Sequence, residues 1–248
     1  MNEITLTKMK QMKLYGMHSS FKTAIETGKS DNYTLDQFVS MIIDAEWDDK
    51  NNRKIERSIK NAKFHYKASV ESIVYDESRN IDQTKLLRLA ECDFIDKNEN
   101  ILITGSTGVG KSYIATAIGY QACIEGYKVI YYNTTKLFSK LKMAKADGSY
   151  LKELSKIERQ DLLILDDFGL QPLDNQNRIA LLEMIEDRNN KGSVIVTSQV
   201  PVQAWYDTIG EKTIADAILD RLIHGSNRID LKGESMRRKR IIKDEKNN

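Results

Sequence analysis

Long apolar runs are absent from this sequence. No run approaches the roughly 20 residues with which a helix crosses a bilayer. The amino terminus, Met1-Asn2-Glu3, also lacks the basic and then apolar segments of an export signal. Together these absences argue against a membrane-spanning helix, and they predict a cytoplasmic protein without a membrane partner.

Cysteine and proline are scarce, with two of each among 248 residues. A reducing cytoplasm does not maintain structural disulfides, and the spacing of Cys92 and Cys123 does not fit a metal site. Both cysteines are predicted to be small, buried apolar residues. Pro172 and Pro201 each come soon after an apolar run, and we assign both to loops.

Acidic and basic residues nearly cancel, with 38 Lys and Arg against 36 Asp and Glu. The balance gives no whole-molecule argument for a polyanionic partner. The distribution is uneven, because one segment holds seven cations against the single acid Glu56: Lys50, Arg53, Lys54, Arg57, Lys60, Lys63 and Lys67. Two explanations stay open, a solvated helix face or contact with nucleic-acid phosphates. A second basic cluster, Arg237–Arg240 with Lys243, is interpreted as a solvated tail.

The first part of the chain is predicted to be helical. From residue 5 to about residue 68 there is no proline, and apolar residues recur at helical spacing. Thr34, followed three residues later by Gln37, resembles a capping box at a helix start. We therefore expect a small all-helical amino-terminal domain, residues 1–75, that contacts DNA or a protein partner.

The rest of the chain, residues 76–248, has the pattern of an α/β domain. Short apolar runs alternate with longer amphipathic stretches, which is typical of a parallel sheet flanked by helices. The predicted strands are residues 100–104, 128–133, 161–166, 193–197 and 228–231. The predicted helices are residues 111–124, 135–146, 175–189 and 214–223, and residues 69–87 are interpreted as a mixed connecting stretch.

The segment GSTGVGKS, residues 105–112, matches the phosphate-loop pattern of Gly, four residues, Gly-Lys and Ser or Thr. An apolar strand leads into it and a helix leaves it, so backbone N–H groups and the helix amino terminus can surround phosphates. Lys111 is expected to reach the β- and γ-phosphates, and the Ser112 hydroxyl to ligate Mg²⁺. The predicted ATP site consists of Gly105, Ser106, Thr107, Gly108, Val109, Gly110, Lys111, Ser112 and Tyr113.

Two acids follow the apolar run that begins at Asp161. A parallel strand that ends in acids delivers them to the carboxyl edge of the sheet, beside the phosphate loop. Asp166 is expected to hold Mg²⁺ directly or through water, and Asp167 to position the attacking water. Ser198 and Gln199 end the next strand in the same way, and they are expected to sense the γ-phosphate or to help hold the water.

Several of these segments resemble the IstB/DnaC-like family of AAA+ ATPases. They are the phosphate loop, LLILDDFG at residues 162–169, TSQVPVQAW at 197–205, ILDRL at 218–222 and KGES at 232–235. The segment LYGM at residues 14–17 is more similar to the IstB transposition helpers than to the DnaC helicase loaders. The resemblance covers most of the chain, and it implies an AAA+ fold of the additional-strand class without a separate carboxyl-terminal lid.

The resemblance also implies residue roles. Lys111 and Ser112 match the phosphate loop, Asp166 the metal-binding acid, Asp167 the catalytic carboxylate and Gln199 the first sensor. Arg221, which the residues alone assign only to an amphipathic helix, matches the arginine finger that enters the neighbouring subunit's site. The wider AAA+ class has glutamate in place of Asp167 and usually asparagine in place of Gln199, and these shorter and longer side chains predict slow hydrolysis.

Three functions stay open. The resemblance favours an ATPase that oligomerises on double-stranded DNA, hydrolyses ATP at subunit interfaces and assists an insertion-sequence transposase. A DnaC-like loader of a replicative helicase is the alternative. A small-molecule kinase is the third, but the second half of the chain has no arginine-rich insertion to close over a phosphate acceptor, and paired acids suit water better than an alcohol.

Overall fold

The computed structural model describes residues 2–28 and 33–236, apart from the side chain of Glu77, so the basic cluster Arg237–Arg240 with Lys243 lies outside the described residues. The chain forms two compact units, Met1–Arg57 and Ser58–Asn248. This division comes earlier in the chain than the predicted boundary at residue 75. Residues 62–73 contribute Ala62, Ala68, Val70 and Ile73 to the core of the second unit.

The first unit is helical, as predicted. It contains α1 (Asn2–Gln11), α2 (Tyr15–Glu26) and most of α3 (Leu35–Ala62). The buried carboxylate of Glu46 on α3 accepts hydrogen bonds from the backbone N–H groups of Gly16, at 2.9 Å, and Met17, at 3.1 Å. Half of the capping box forms, because the Thr34 N–H donates to Gln37 Oε1 at 3.1 Å while the Thr34 hydroxyl donates to Asp36.

The second unit is built on a five-stranded parallel sheet in the order β2-β3-β4-β1-β5. The strands are β1 (Ile101–Gly105), β2 (Val129–Asn133), β3 (Leu162–Phe168), β4 (Ser193–Ser198) and β5 (Asn227–Leu231). All five lie within two residues of their predicted bounds. Because β4 separates β1 from β3, the sheet has the arrangement of the additional-strand class.

Helices cover both faces of the sheet. Alternate strand residues point to opposite sides, and the apolar ones form a core on each face. Ile101 and Ile103 belong to the core on one face, which is formed with α4 (Gln83–Ala90), α5 (Asp93–Asp96) and α6 (Lys111–Ile124). Leu102 belongs to the core on the other face, which is formed with α7 (Thr134–Asp147), α8 (Tyr150–Glu158), α9 (Asn175–Arg188), α10 (Trp205–Ile209) and α11 (Lys212–Ile223).

In the described part of the second unit, four α-helices lie outside the predicted ones: the short helices α5 and α10, and the longer helices α4 and α8. Helix α4 begins inside the predicted connecting stretch, residues 69–87, where Asp82 caps it by accepting from the Lys85 N–H. Helix α8 was not predicted. Gly148, at φ 78°, ends α7, and α8 then starts within two residues and buries Leu154 and Ile157. A nine-residue helix that holds two buried apolar residues gives too short a pattern to detect.

Candidate nucleotide site

Strand β1 delivers the phosphate loop to the carboxyl edge of the sheet. Gly105, Gly108 and Gly110 have φ values of 144°, 84° and 101°. A Cβ on Gly105 would lie 2.3 Å from the Leu231 carbonyl oxygen. The loop therefore requires glycine both for its left-handed backbone and for its close approach to neighbouring chain.

Lys111 occupies the first turn of α6 with only 5% of its surface exposed. Its Nζ donates to the Ser106 carbonyl oxygen at 2.9 Å. Burial lowers the pKa of Lys111, and the nearby carboxylates of Asp167 and Asp166 oppose that shift. The structure thus brings together the lysine and the two acids that the sequence predicted to share a site.

The two acids lie at a β-bulge. Strand β3 pairs Leu165 with Val196 and Phe168 with Ser198, so that Asp166 and Asp167 both face Thr197 on β4. Asp167 has a left-handed backbone at φ 59°, which is uncommon for a residue other than glycine. The bulge breaks the strand alternation that would otherwise send adjacent side chains to opposite faces of the sheet.

Asp166 and Asp167 differ in their surroundings. Asp166 is buried, and its carboxylate accepts hydrogen bonds from the hydroxyl groups of Tyr131 and Thr197. Asp167 is half-buried, and its Oδ2 accepts from Asn133 Nδ2 at 3.2 Å. The more enclosed carboxylate is the one predicted to hold metal, and the more accessible one is the one predicted to act on water.

The strand that follows supplies only part of what was expected. Gln199 is half-buried, and its Oε1 accepts a hydrogen bond of 2.6 Å from Thr107 Oγ1, which brings it to the phosphate loop. The fully buried Ser198 hydroxyl donates to the Phe168 carbonyl oxygen at 2.7 Å and is committed to the turn after β3. Tyr113 stacks on Tyr66, with ring centroids 6.2 Å apart.

Arg221 lies near the amino-terminal ends of the strands, opposite the carboxyl edge that holds the phosphate loop. Its carbonyl oxygen accepts from Asn100 Nδ2 at 2.9 Å, and Asn100 directly precedes β1, whereas the phosphate loop follows β1. A strand of this length spans roughly 16 Å. The Arg221 guanidinium pairs with Glu186 Oε1 at 3.1 Å and donates to the Ala217 carbonyl oxygen at 2.6 Å. Arg221 therefore does not reach the phosphate loop of its own chain.

Several neighbours of the site were not found from the sequence. The buried Arg79 donates through Nη2 to the Val109 carbonyl oxygen at 2.6 Å, and the Met236 N–H donates to the Gly108 carbonyl oxygen at 2.9 Å. Thr197 and Tyr131 hold Asp166. Arg79 stands alone in a polar stretch, but the polar ends of β2 and β4 are a signal that could have pointed to Asn133 and Thr197.

These contacts fit ATP and Mg²⁺. The loop leaves no room for side chains at its three glycines, Lys111 is buried beside it, and the first turn of α6 directs backbone N–H groups toward it, which suits phosphate. The Ser112 hydroxyl and the Asp166 carboxylate are the hard oxygen ligands that Mg²⁺ takes together with phosphate and water. Among residues 2–28 and 33–236, no group of three or more His, Cys, Asp or Glu residues forms a metal site of its own.

Outside the site, the described part of the chain contains no helix that is long and apolar enough to span a bilayer. On α3, Lys54 and Arg57 are exposed. Arg53, in contrast, forms ion pairs with Asp49, at 2.5 Å, and with Glu46, at 3.6 Å.

Sequence comparison gives matches along nearly the whole chain. The model of the family described as IstB-like ATP binding protein matches residues 7–244. The putative insertion sequence ATP-binding protein y4pL of Sinorhizobium fredii is 41% identical over 234 residues, which are 94% of this chain and 96% of that protein. The putative ATP-binding protein of insertion sequence IS21 from Pseudomonas aeruginosa is 30% identical over 238 residues, 96% and 88% of the two chains.

Comparison of structures finds a DnaA protein and a helicase loader. AMPPCP-bound DnaA from Aquifex aeolicus matches with a TM-score of 0.59 and 19% identity, over 74% of this chain and 56% of that one. The DnaC helicase loader matches with a TM-score of 0.55 and 22% identity, over 69% of this chain and 100% of that one. At these identities the likeness is one of fold.

Proposed function

The chain belongs to the IstB-like ATP-binding protein family of AAA+ ATPases, and we propose that it couples ATP hydrolysis to the action of an insertion-sequence transposase on double-stranded DNA. The observation that carries the proposal is the combination of a whole-chain family match with a glycine loop, a buried lysine and two acids at one sheet edge. The relatives named above are insertion-sequence ATP-binding proteins, and this favours transposition over helicase loading.

In the proposed site, the backbone of residues 105–112 and the Lys111 ammonium bind the phosphates of ATP. Ser112 and Asp166 hold Mg²⁺, which neutralises charge on the phosphate oxygens when it is bound. Asp167 orients the attacking water, because its carboxylate is the more accessible of the two acids. Gln199, which contacts Thr107 of the loop, donates an amide hydrogen bond toward the γ-phosphate.

We also propose that hydrolysis takes place between subunits of a homo-oligomer. Support comes from the distance between Arg221 and the phosphate loop of its own chain, which lie at opposite edges of the sheet. If Arg221 supplies a further cation to the developing charge of the transition state, it therefore does so in the site of a neighbouring chain. The Arg221 side chain is 28% exposed, so it is accessible from outside the subunit. The ion pair with Glu186 holds its guanidinium in place.

For DNA we propose a contact with backbone phosphates through α3. Within the first unit, Lys54 and Arg57 project from the exposed surface of that helix, and such clustered cations bind duplexes with little dependence on sequence. Arg53 is assigned to the fold rather than to DNA, because it pairs with Glu46 and Asp49.

The test is a reconstituted strand-transfer reaction. The full chain is combined with ATP, duplex DNA and an insertion-sequence transposase, and Lys111→Ala serves as the matched protein that cannot use ATP. We expect transposition to require both the chain and an intact Lys111. A chain that has no effect on strand transfer, but places a replicative helicase on single-stranded DNA, would establish the alternative of a DnaC-like loader.

A further inference from the structure

The Asp166 carboxylate is held from both sides by neighbouring strands. Tyr131 on β2 donates its hydroxyl hydrogen bond to Oδ2, and Thr197 on β4 donates to Oδ1. Asp166, on β3 between them, is 4% exposed, and Tyr131 and Thr197 are 5% and 0% exposed. At this burial, water does not replace either hydroxyl, so the two donors fix the orientation of the carboxylate plane.

Thr197 also links the two acids. Its Oγ1 accepts a hydrogen bond of 3.1 Å from the Asp167 N–H while its hydroxyl hydrogen is donated to Asp166. One side chain thus contacts the backbone of one acid and the carboxylate of the other. This is the residue that faces both acids across the bulge in the β3–β4 register.

We propose that Tyr131 and Thr197 are positioning residues, a hydroxyl clamp that presents the Asp166 carboxylate to the metal in one fixed orientation. The proposal rests on the proposed function, because it takes Asp166 as a metal ligand. Groups that hydrogen-bond a ligand orient it before the metal arrives, and their loss typically lowers metal affinity by about 10- to 100-fold.

The Tyr131 ring has a separate packing role that can be kept while the hydroxyl is removed. Its ring meets Phe64 edge-on, with centroids 6.4 Å apart, within the core on the α6 face of the sheet. Phenylalanine retains that ring. Tyr131→Phe therefore deletes the donor to Asp166 without opening a cavity. Thr197→Val deletes the other donor with nearly unchanged shape, but it also removes the acceptor of the Asp167 N–H.

The experiment measures metal binding without turnover. The full chain is loaded with a fluorescent, non-hydrolysable ATP analogue and titrated with Mg²⁺. For each variant, two quantities are compared with those of the parent: the Mg²⁺ concentration at the midpoint of the fluorescence change, and the affinity for the analogue in EDTA. We expect Tyr131→Phe and Thr197→Val each to raise the Mg²⁺ midpoint by about 10-fold or more while affinity in EDTA stays at the parent value. Thr197→Ser keeps the hydroxyl and is expected to restore the parent midpoint.

Asp166→Asn distinguishes a failure of the metal assignment from a failure of the hydroxyl clamp. If it leaves the Mg²⁺ midpoint unchanged, Asp166 is not a ligand, and both the metal assignment and the clamp are overturned. If it abolishes the Mg²⁺ response while Tyr131→Phe matches the parent with an unchanged Tm, the metal assignment stands and the clamp alone is wrong. Should Thr197→Val fail to fold, Tyr131→Phe decides the question by itself.

Discussion

Thr107 Oγ1 donates a hydrogen bond of 2.6 Å to Gln199 Oε1, which joins the phosphate loop to the end of β4. The loop therefore engages the amide oxygen and leaves the two amide N–H bonds as donors. A donor at this place suits a γ-phosphate oxygen. Gln199 has two possible roles, to donate to the substrate or to hold the loop through Thr107. Substitution of each partner of the hydrogen bond distinguishes these roles.

We expect Gln199→Ala to lower the ATP hydrolysis rate by about 10²-fold, as the loss of one preorganised donor does at other oxyanion sites. Thr107→Val removes the same loop contact but leaves the amide in place, and its rate should fall much less than that of Gln199→Ala. Steady-state turnover and ATP affinity are measured for both variants and for the double variant. Equal losses in the two single variants would show that the hydrogen bond only stabilises the loop.

Asp167→Asn should separate ATP binding from hydrolysis. The amide has the size of the carboxylate but cannot accept a proton from water, so turnover should fall by about 10²- to 10⁴-fold while ATP affinity is kept. Asp207→Asn, an exposed acid on α10, carries the same charge change as a control. If Asp167→Asn loses ATP and Mg²⁺ binding while mutation of Asp166 has little effect on turnover, the two roles are reversed. Asp167 would then hold the metal.

The framework of the second unit was predictable because each strand has a recognisable sequence pattern. Four apolar runs and the alternating segment RIDL, at regular intervals, define the sheet, and the GSTGVGKS segment after the first run locates the site. Parallel strands bring their carboxyl ends to one edge, so Lys111, Asp166, Asp167 and Gln199 could be placed together without any tertiary information. The prediction works where local pattern and topology determine position.

The details of the acid pair were not predictable in the same way. A β-bulge depends on the register between β3 and β4, and although aspartate tolerates a left-handed backbone, the sequence does not show which of the two acids adopts it. Tyr131 reads as an ordinary aromatic residue of a buried strand, because its ring does pack in the core. Only the structure shows that its hydroxyl reaches the adjacent strand's acid.

The DNA proposal predicts a change in salt dependence. Replacing Lys54 and Arg57 by Gln should weaken binding to a short duplex and reduce the slope of log K against log salt by about 2, one for each lost phosphate contact. Fluorescence anisotropy over a salt series measures both quantities.

The matched control replaces Lys8 and Lys10, which are exposed on α1 in the same unit, by Gln. This variant has the same net charge as the first, so it reports any effect of overall charge. If both double variants bind like the parent at each salt concentration, or if both weaken binding equally, α3 carries a solvated basic face and not a DNA contact.

Arg221→Ala should bind ATP nearly as the parent does but hydrolyse it about 10³-fold more slowly or worse, as arginine fingers do in other phosphoryl-transfer systems. The phosphate loop of this variant is intact, because Arg221 lies at the other edge of the sheet. Hydrolysis and the affinity of an ATP analogue are measured on the same preparation. A proportional loss of affinity would indicate a structural role through Glu186.

Mixing two inactive variants tests whether the arginine acts between chains. Lys111→Ala retains the finger and Arg221→Ala retains the loop, so a random equimolar assembly has complete sites at roughly a quarter of its interfaces. Turnover should reappear on mixing. A mixture of Lys111→Ala with Asp167→Asn is the control, since each of its sites lacks one essential residue whatever the neighbour supplies. If the first mixture co-assembles, as shown by differently labelled chains in one particle, but its turnover stays at the level of the control mixture, the finger does not act between subunits.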